Sequence, residues 1–531
     1  MGEVSNREMQ KRFITVFLVL FSAFLLILPD FVFSLFSKTF KHSTDVKVLI
    51  LIVPLSIGLV MNRYRWLSIL LVSLLCVFQL MQFSHIAYFG TQMSPYSIFY
   101  LTKEFRDVVL EFINVFSRYY YVLPIVLLPF SVMLYCIRSK CNKSIIGTMI
   151  LLVLFSYIGY NRFKLGRFTP NEMRFTIDNS LKAMFGCVEL AIFREEPKNY
   201  LPYEIKTIKK NIDEPITVVY ILGESCNYNH MSLFGYERDT TPKLKALSKR
   251  KDFYHTIGIA GGMNTLSSCK FMMNVIREPN NLRLKSSIKT NLFSLAKKHG
   301  FKTFYISSQR DNVLGSISGV NYIDHVITNG SGVIKTNKLK DCNLLNILSG
   351  FDLGKLNFIV LHQTCVHAPY SEAFDATFRE RNKFSTEKDS RINEYDNAML
   401  YNDHLISKFF DYFNKQTQGK FYIIWASDHN ELLGENGMFG HGHLIPQTAD
   451  IPIVIQSNDN EFMNKIRDIF KLTHYDIAKN IAYILGYEIQ NPNEKDAVFY
   501  ISGLDFNGKC EYIKYRKDFA AKRIEYLKES E

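Results

Sequence analysis

The chain has 531 residues, 47% of them hydrophobic, and carries a formal net charge of +13. The length admits more than one domain. The positive excess does not mark a nucleic-acid binder, because no compact basic cluster is interleaved with aromatics; it fits a membrane containing anionic lipids. Nine scattered cysteines without a CxxC pair exclude a zinc ribbon and a thioredoxin-type motif.

Apolar residues crowd into the first third. Phe13–Phe36 is uncharged apart from Asp30 and long enough to cross a bilayer. It is too long for a cleavable signal peptide and lacks a small-residue cleavage site. Trp66–Phe83, Tyr120–Ile137, Ser144–Tyr160 and the shorter Val46–Val60, which a re-entrant segment would also suit, bring the expected crossings to five. The segments Arg7/Lys11/Arg12, Arg63/Arg65 and Arg138/Lys140/Lys143 then all lie inside, as the positive-inside rule requires. This topology sends everything after Tyr160 to the outer face. The outer loop Ala87–Arg118 holds Tyr96, Phe99, Tyr100, Phe105, Arg106 and Phe112; it suits a surface-lying amphipathic helix or an ordinary loop equally. Arg162–Lys209 loses the apolar runs and reads as a connector with a helix near Asn179–Phe193.

From Pro215 onward strands alternate with helices. Ile216–Leu222, Lys302–Ile306, Leu356–Leu361, Phe421–Ala426 and Ile453–Ile455 read as strands. Pro242–Arg250, Thr290–Lys298, Ser390–Asn414 and Glu461–Phe470 read as helices, and Tyr475–Leu485 with Ala497–Ile501 would finish the domain. That alternation predicts a largely parallel sheet covered on both faces. The expected organisation is an anchor over 1–165, a linker with its helix over 166–210 and a soluble α/β domain over 211–531.

Four clusters fall at or after the strands. Glu224 follows the first, at the sheet edge where open α/β folds bind ligands. Thr265 lies in a small-residue turn, Gly261–Ser268, before an apolar helix. Its hydroxyl could cap that helix or sit where the helix N-terminus stabilises negative charge. His362 and His367 follow the strand Leu356–Leu361, while Asp428 and His429 follow Phe421–Ala426 and lead into a glycine-rich loop with His441 and His443. Carboxylate, imidazole and hydroxyl together suit zinc, which makes a coordinated oxygen acid nucleophilic near neutral pH.

With these residues in hand, the chain resembles the phosphoethanolamine transferases of Gram-negative inner membranes, members of the alkaline-phosphatase/sulfatase superfamily. GESCNYNHMSLFGYERDTTP, the Tyr395-Asp396-Asn397…Tyr401-Asn402-Asp403 helix and SDHNELLGENGMFGHG are similar to that family's three blocks. The resemblance implies a multi-pass bacterial inner-membrane protein, with a cytoplasmic N-terminus and a periplasmic sulfatase-like catalytic domain. It implies Zn2+ held by Glu224, Thr265, Asp428 and His429, with Thr265 also the nucleophile. His367 and His441 would bind phosphate or protonate the leaving oxygen, and His443 joins them in substrate binding. The implied donor is phosphatidylethanolamine, the acceptor a lipopolysaccharide core sugar, lipid A or another glycan, and the path a covalent phosphoethanolamine-threonine. The departures concern the acceptor more than the chemistry. Gly261 and Phe271 replace a cysteine pair, Lys270 a proline and Asn430 a glycine, and Thr91–Asp107 lacks the lipid A enzymes' loop residues. A phosphoglycerol transferase of the same superfamily is the alternative; Cys269-Lys270-Phe271-Met272-Met273 does not fit the formylglycine motif of a true sulfatase.

Overall fold

The computed structural model describes residues 2–36, 48–89, 120–139, 143–165, 175–192, 201–208, 214–279, 288–309, 313–317, 319–328, 340–374, 378, 380, 382–385, 390–495, 497–503 and 512–527. The aromatic loop residues from Tyr96 to Phe112, Lys140 and Cys510 lie outside that set. The chain forms two compact units, Met1–Arg194 with Gly434–Phe439, and Glu195–Leu433 with Gly440–Glu531.

In the first unit the five apolar runs are helices: α1 (Gly2–Phe36), α2 (Leu49–Met61), α3 (Arg65–Phe89), α4 (Val122–Arg138) and α5 (Ile145–Leu165), followed by α6 (Thr176–Ile192). Glu8–Phe36 and Arg65–Ala87 are long and apolar enough to cross a membrane; α2, α4 and Ile145–Gly159 are shorter apolar helices. Leu18 of α1, Val60 of α2 and Cys136 of α4 form one cluster. Elsewhere Phe33 of α1 packs on Phe83 of α3, with ring centroids 4.9 Å apart. These contacts, with the bridge from Asn62 to Ser144 at the start of α5, make successive helices run in alternating directions. A Cβ on Gly147 would lie 2.5 Å from the Met61 carbonyl carbon, so α5 needs glycine to approach the end of α2. Phe17, Leu20, Ile50, Leu70, Leu128, Leu152 and Val153 point outward, an apolar surface that water does not favour.

Asp30, the one charge inside the first apolar run, is fully buried. Its Oδ1 accepts the Thr176 N–H at 2.9 Å, and its Oδ2 accepts the Thr176 hydroxyl at 2.8 Å. Gln79 completes the group: its Oε1 lies 2.7 Å from that hydroxyl, and its Nε2 donates to Ser180 at 3.1 Å. Asp30 thus satisfies the first turn of α6 from a different helix. Asp30→Ala would strand those donors in an apolar interior, and a cost of about 2 kcal/mol is expected, read as a lowered thermal midpoint in detergent.

The second unit is built on a seven-stranded sheet. Its strands are β1 (Ile216–Gly223), β2 (Phe253–Ile259), β3 (Lys302–Ser307), β4 (His325–Ile327), β5 (Leu356–His362), β6 (Lys420–Ser427) and β7 (Asp450–Ser457), in the order β2-β7-β6-β1-β5-β3-β4. The five strands from β6 to β4 are parallel, and β7 and β2 close the other edge antiparallel. β1 is buried along its whole length because its side chains alternate between two cores. Val218, Tyr220 and Leu222 face α8 (Thr265–Met273), α9 (Leu292–Lys298), α11 (Asn460–Asp468) and α12 (His474–Ile484). Val219 and Ile221 face α7 (Pro242–Leu247) and α10 (Ser390–Gln416). Burial on both faces explains the near-continuous apolar runs. The carboxyl ends of β1, β5 and β6 lie side by side, with Leu222 opposite His362 and Gly223 opposite Ser427.

Candidate active site

The sheet edge collects the side chains that the sequence singled out. Glu224 leaves the end of β1, and Asp428 and His429 leave the end of its neighbour β6. Their ligand atoms all lie within 4.8 Å of one another, and all three residues are buried. Nε2 of His429 is 3.4 Å from Glu224 Oε1 and 3.3 Å from Asp428 Oδ2. Thr265 completes the group: its hydroxyl donates to Glu224 Oε2 at 3.2 Å and lies 3.4 Å from His429 Nε2.

Thr265 is not the helix cap. Asn264, in extended conformation, takes that place and accepts the Ser267 N–H at 3.0 Å. Thr265 is therefore the first residue of α8, with its hydroxyl among the carboxylates at the positive end of a helix. Gly261 makes this turn possible, since a Cβ there would meet the Cβ of Phe271 at 2.6 Å. The departure noted at 261 and 271 is thus a glycine–phenylalanine contact, and Cys76, Cys136, Cys226, Cys269, Cys342 and Cys365 are free thiols.

Burial and the charges within the cluster govern its electrostatics. Burial raises the Asp428 carboxyl above the ordinary range, and the adjacent Glu224 carboxylate adds to the effect. Burial acts the same way on Glu224, but the hydrogen bond and charge of His429 outweigh it and hold that carboxyl well below the usual range. His429 is pushed up to about 9, because Asp428 and Glu224 overcome the burial that would lower it. A proton on the imidazole thus balances two carboxylates. Asp428 Oδ1 accepts the N–H groups of Ser225 and His429 at 3.1 and 2.8 Å, while Oδ2 is buried with no hydrogen-bond partner. His429 Nδ1–H donates to the Asn430 carbonyl at 3.2 Å, which leaves Nε2 toward the carboxylates. Two carboxylates, one correctly aimed imidazole nitrogen and an orphaned buried oxygen fit a zinc-type cation.

The remaining histidines divide. His441 Nδ1 is held by Glu431 Oε2 at 2.7 Å, and Glu431 Oε1 accepts the Tyr370 hydroxyl at 2.5 Å. The His441 ring stands 4.3 Å from that of His429 and 5.8 Å from that of His367. His367 Nδ1 donates to the Ala368 carbonyl at 2.6 Å. His443 is fixed through its backbone, where its carbonyl accepts the Thr448 hydroxyl at 2.7 Å. His362 belongs to the core: it is fully buried, with Tyr305 Oη at 3.0 Å and Cys269 Sγ at 3.9 Å. Burial lowers His362 to about 4 against an ordinary 6.5. Its depressed folded value means that stability is intact above pH 6.5 and falls as pH drops toward 4, by roughly 3 kcal/mol in all. His362→Gln should flatten that part of the stability–pH curve, read from thermal midpoints.

Three contributors had no role assigned from sequence. Gln309, two residues past β3, donates to Glu224 Oε2 at 2.6 Å and to the Gln363 carbonyl at 2.7 Å. Its place on the same sheet edge was the available signal. Glu431 was visible only as a neighbour of His429. The Tyr-Asp-Asn helix and the segment after β1 explain one another: Asp396 accepts from His230 at 2.7 Å, Tyr236 at 2.9 Å and Arg238 at 2.7 Å. Tyr395 Oη donates to the Ser225 carbonyl at 2.8 Å and accepts the Asn227 N–H at 2.7 Å. These motif residues clamp the loop after Glu224. Arg238→Ala would leave Asp396 in a buried site with one charge partner fewer, and a loss of about 2–3 kcal/mol is expected in chemical denaturation.

A mostly parallel sheet that gathers two carboxylates, an imidazole and a helix-terminal hydroxyl at its carboxyl edge defines an α/β domain of the alkaline-phosphatase/sulfatase type. The chain belongs to the sulfatase family, whose profile matches residues 216–482, half of its length. It is 25% identical over 318 residues to the phosphatidylethanolamine transferase Mcr-2 of Escherichia coli, covering 56% of this chain and 58% of the relative. It is 27% identical over 269 residues to the Kdo(2)-lipid A phosphoethanolamine 7''-transferase of Escherichia coli K12, covering 48% and 46%. The chain spans about half the length of the curated relatives that it matches. In fold it is similar to the integral membrane lipooligosaccharide phosphoethanolamine transferase A of Neisseria meningitidis, with TM-score 0.58 and 17% identity, over 89% of this chain and 95% of that one. Cys269, in the run that does not fit the formylglycine motif, lies fully buried beside His362.

Proposed function

We propose that the protein transfers phosphoethanolamine from phosphatidylethanolamine to a lipid-linked glycan, a lipopolysaccharide core sugar or lipid A, through a covalent Thr265 intermediate. The observation that carries this reading is the Thr265 hydroxyl, at a helix N-terminus and 3.2–3.4 Å from Glu224 and His429. The relatives named above supply the donor head group and the acceptor class. Glu224, Asp428, His429 and the Thr265 hydroxyl would hold a zinc ion, which when bound supplies the charge that lets an alcohol act as nucleophile near neutral pH.

Thr265 Oγ1 attacks the donor phosphorus, and its proton passes to Glu224 Oε2, which accepts its hydrogen bond at 3.2 Å, as the new O–P bond forms. The P–O bond to diacylglycerol breaks, and the leaving oxygen takes a proton from an imidazole. His441, oriented through Nδ1 by Glu431, has Nε2 for that exchange, and the His367 ring lies beside it at 5.8 Å. In the second half an acceptor hydroxyl or phosphate oxygen attacks the phosphothreonine, the imidazole takes the acceptor's proton where there is one, and the threonine oxygen leaves and takes its proton back from Glu224. Five crossings with the second unit on the periplasmic side of a bacterial inner membrane would keep the domain beside donor and acceptor. The three-part organisation 1–165, 166–210 and 211–531 is part of this reading.

Glu431→Gln should leave the ligand cluster intact but loosen His441, lowering transfer about 10- to 100-fold. The whole reading is tested with the protein reconstituted in vesicles of labelled phosphatidylethanolamine or phosphatidylglycerol. Diacylglycerol released from the first lipid only is expected. Release from phosphatidylglycerol alone would replace the ethanolamine reading with the phosphoglycerol one.

A further inference from the structure

His474 belongs to neither the ligand cluster nor the pair His367 and His441, yet it joins the two loops that must meet for the site to exist. We propose that His474 is a positioning residue, a neutral imidazole that locks the Thr265 loop to the Asp428–His429 loop. Its Nδ1 accepts the N–H of Gly261 at 3.1 Å, four residues before Thr265. Its Nε2–H donates to the carbonyl of Ser427 at 3.0 Å, one residue before Asp428. Both partners are backbone groups, so the bond fixes the paths of the loops.

Only one protonation state can do this. Nδ1 must be bare to accept from Gly261, and Nε2 must carry the proton to reach a carbonyl. The ring is fully buried, and burial lowers it to about 4, so it is neutral across the working range. His474 is itself held firmly as the first residue of α12. Thr473 and Asp476 form a reciprocal cap there, and Lys517 Nζ reaches Asp476 at 3.0 Å. On the other side, the Gly261 carbonyl accepts the Ser502 N–H at 2.8 Å, and Ile259 N–H donates to the Leu472 carbonyl at 2.8 Å. The Thr265 loop is thus pinned by residues more than 200 positions downstream, and the only side-chain pin that also holds Ser427 is His474 among the described contacts.

The catalytic consequence rests on the transfer mechanism proposed above, while the positional one does not. Two variants of the full chain separate the two bonds. His474→Asn places an amide oxygen near Nδ1 and keeps the Gly261 bond; His474→Gln places an amide nitrogen near Nε2 and keeps the Ser427 bond. Ile481→Val, on the same helix, controls for a general loss of packing. Hydrogen-exchange mass spectrometry of the zinc-loaded protein should show the peptide containing Gly261 exchanging at least tenfold faster in His474→Gln, but near the wild-type rate in His474→Asn and Ile481→Val. Unchanged exchange in His474→Gln overturns the proposal whether or not the protein transfers anything.

With phosphatidylethanolamine, both His474 variants should form the Thr265 adduct 10- to 100-fold more slowly at saturating donor, with KM within about twofold and the pH profile unmoved. Wild-type adduct rates in both variants, or a displaced limb of the pH profile, would also overturn it. Failure of the wild-type protein to form any adduct would count instead against the proposed function.

Discussion

Thr265→Ala should lower transfer by at least about 10^3-fold while leaving the thermal midpoint almost unchanged. The two halves of that expectation come from one geometric fact. Asn264 accepts the Ser267 N–H and caps the start of the helix, so Thr265 occupies the first helical position, where alanine is well tolerated. A capping threonine would behave in the opposite way, costing about 1 kcal/mol of stability and leaving turnover alone. The hydroxyl instead faces Glu224 and His429, and no other hydroxyl is joined to both among the described contacts. Parallel measurements of diacylglycerol release and thermal unfolding separate the roles. A variant that melts early but turns over normally would return Thr265 to structure.

Asp428→Asn should abolish zinc-dependent turnover and remove the stabilisation that zinc gives. In the ion-free protein, Asp428 and Glu224 are two buried carboxylates balanced by one imidazolium, and Asp428 Oδ2 has no hydrogen-bond partner. An asparagine can keep Oδ1 on the N–H groups of Ser225 and His429 and places no second buried negative charge beside Glu224. Removing the repulsion should raise the midpoint of the ion-free variant above that of the ion-free wild type. Zinc at 100 times its dissociation constant should add about 2.7 kcal/mol to the wild type and nothing measurable to the variant. Zinc content by elemental analysis, with melting curves in the presence and absence of chelator, checks both signs. An ion-free variant less stable than the ion-free wild type would contradict the assignment of Asp428 as a ligand in a cation-deficient cluster.

Much of this site was legible because it lies at the ends of strands that are buried on both faces. Such strands read as uninterrupted apolar runs, so Ile216–Leu222, Leu356–Leu361 and Phe421–Ala426 were recognisable, and Glu224, His367, Asp428 and His429 could be placed just beyond them. The edge of the sheet was less legible. Phe253–Ile259 carries His255 and Thr256 in a half-buried edge strand and lacks the apolar run, and His325–Ile327 spans only three residues. Nor does an apolar run encode direction, so the antiparallel setting of Asp450–Ser457 emerges only from its pairing with Phe253–Ile259 and Lys420–Ser427. The helix expected near Asn179–Phe193 exists as Thr176–Ile192, but the buried Asp30 cap that starts it lies 146 residues earlier. Gln309, Glu431 and His474 share that difficulty: each acts through a partner that no local pattern brings near.

The most direct test is intact-mass spectrometry of the zinc-loaded protein after incubation with phosphatidylethanolamine. A single phosphoethanolamine adduct that maps to Thr265, appears with diacylglycerol and is discharged by a lipopolysaccharide acceptor is the predicted result. Transfer proceeding without any adduct, or an adduct on a residue other than Thr265, would contradict the covalent threonine mechanism at its centre.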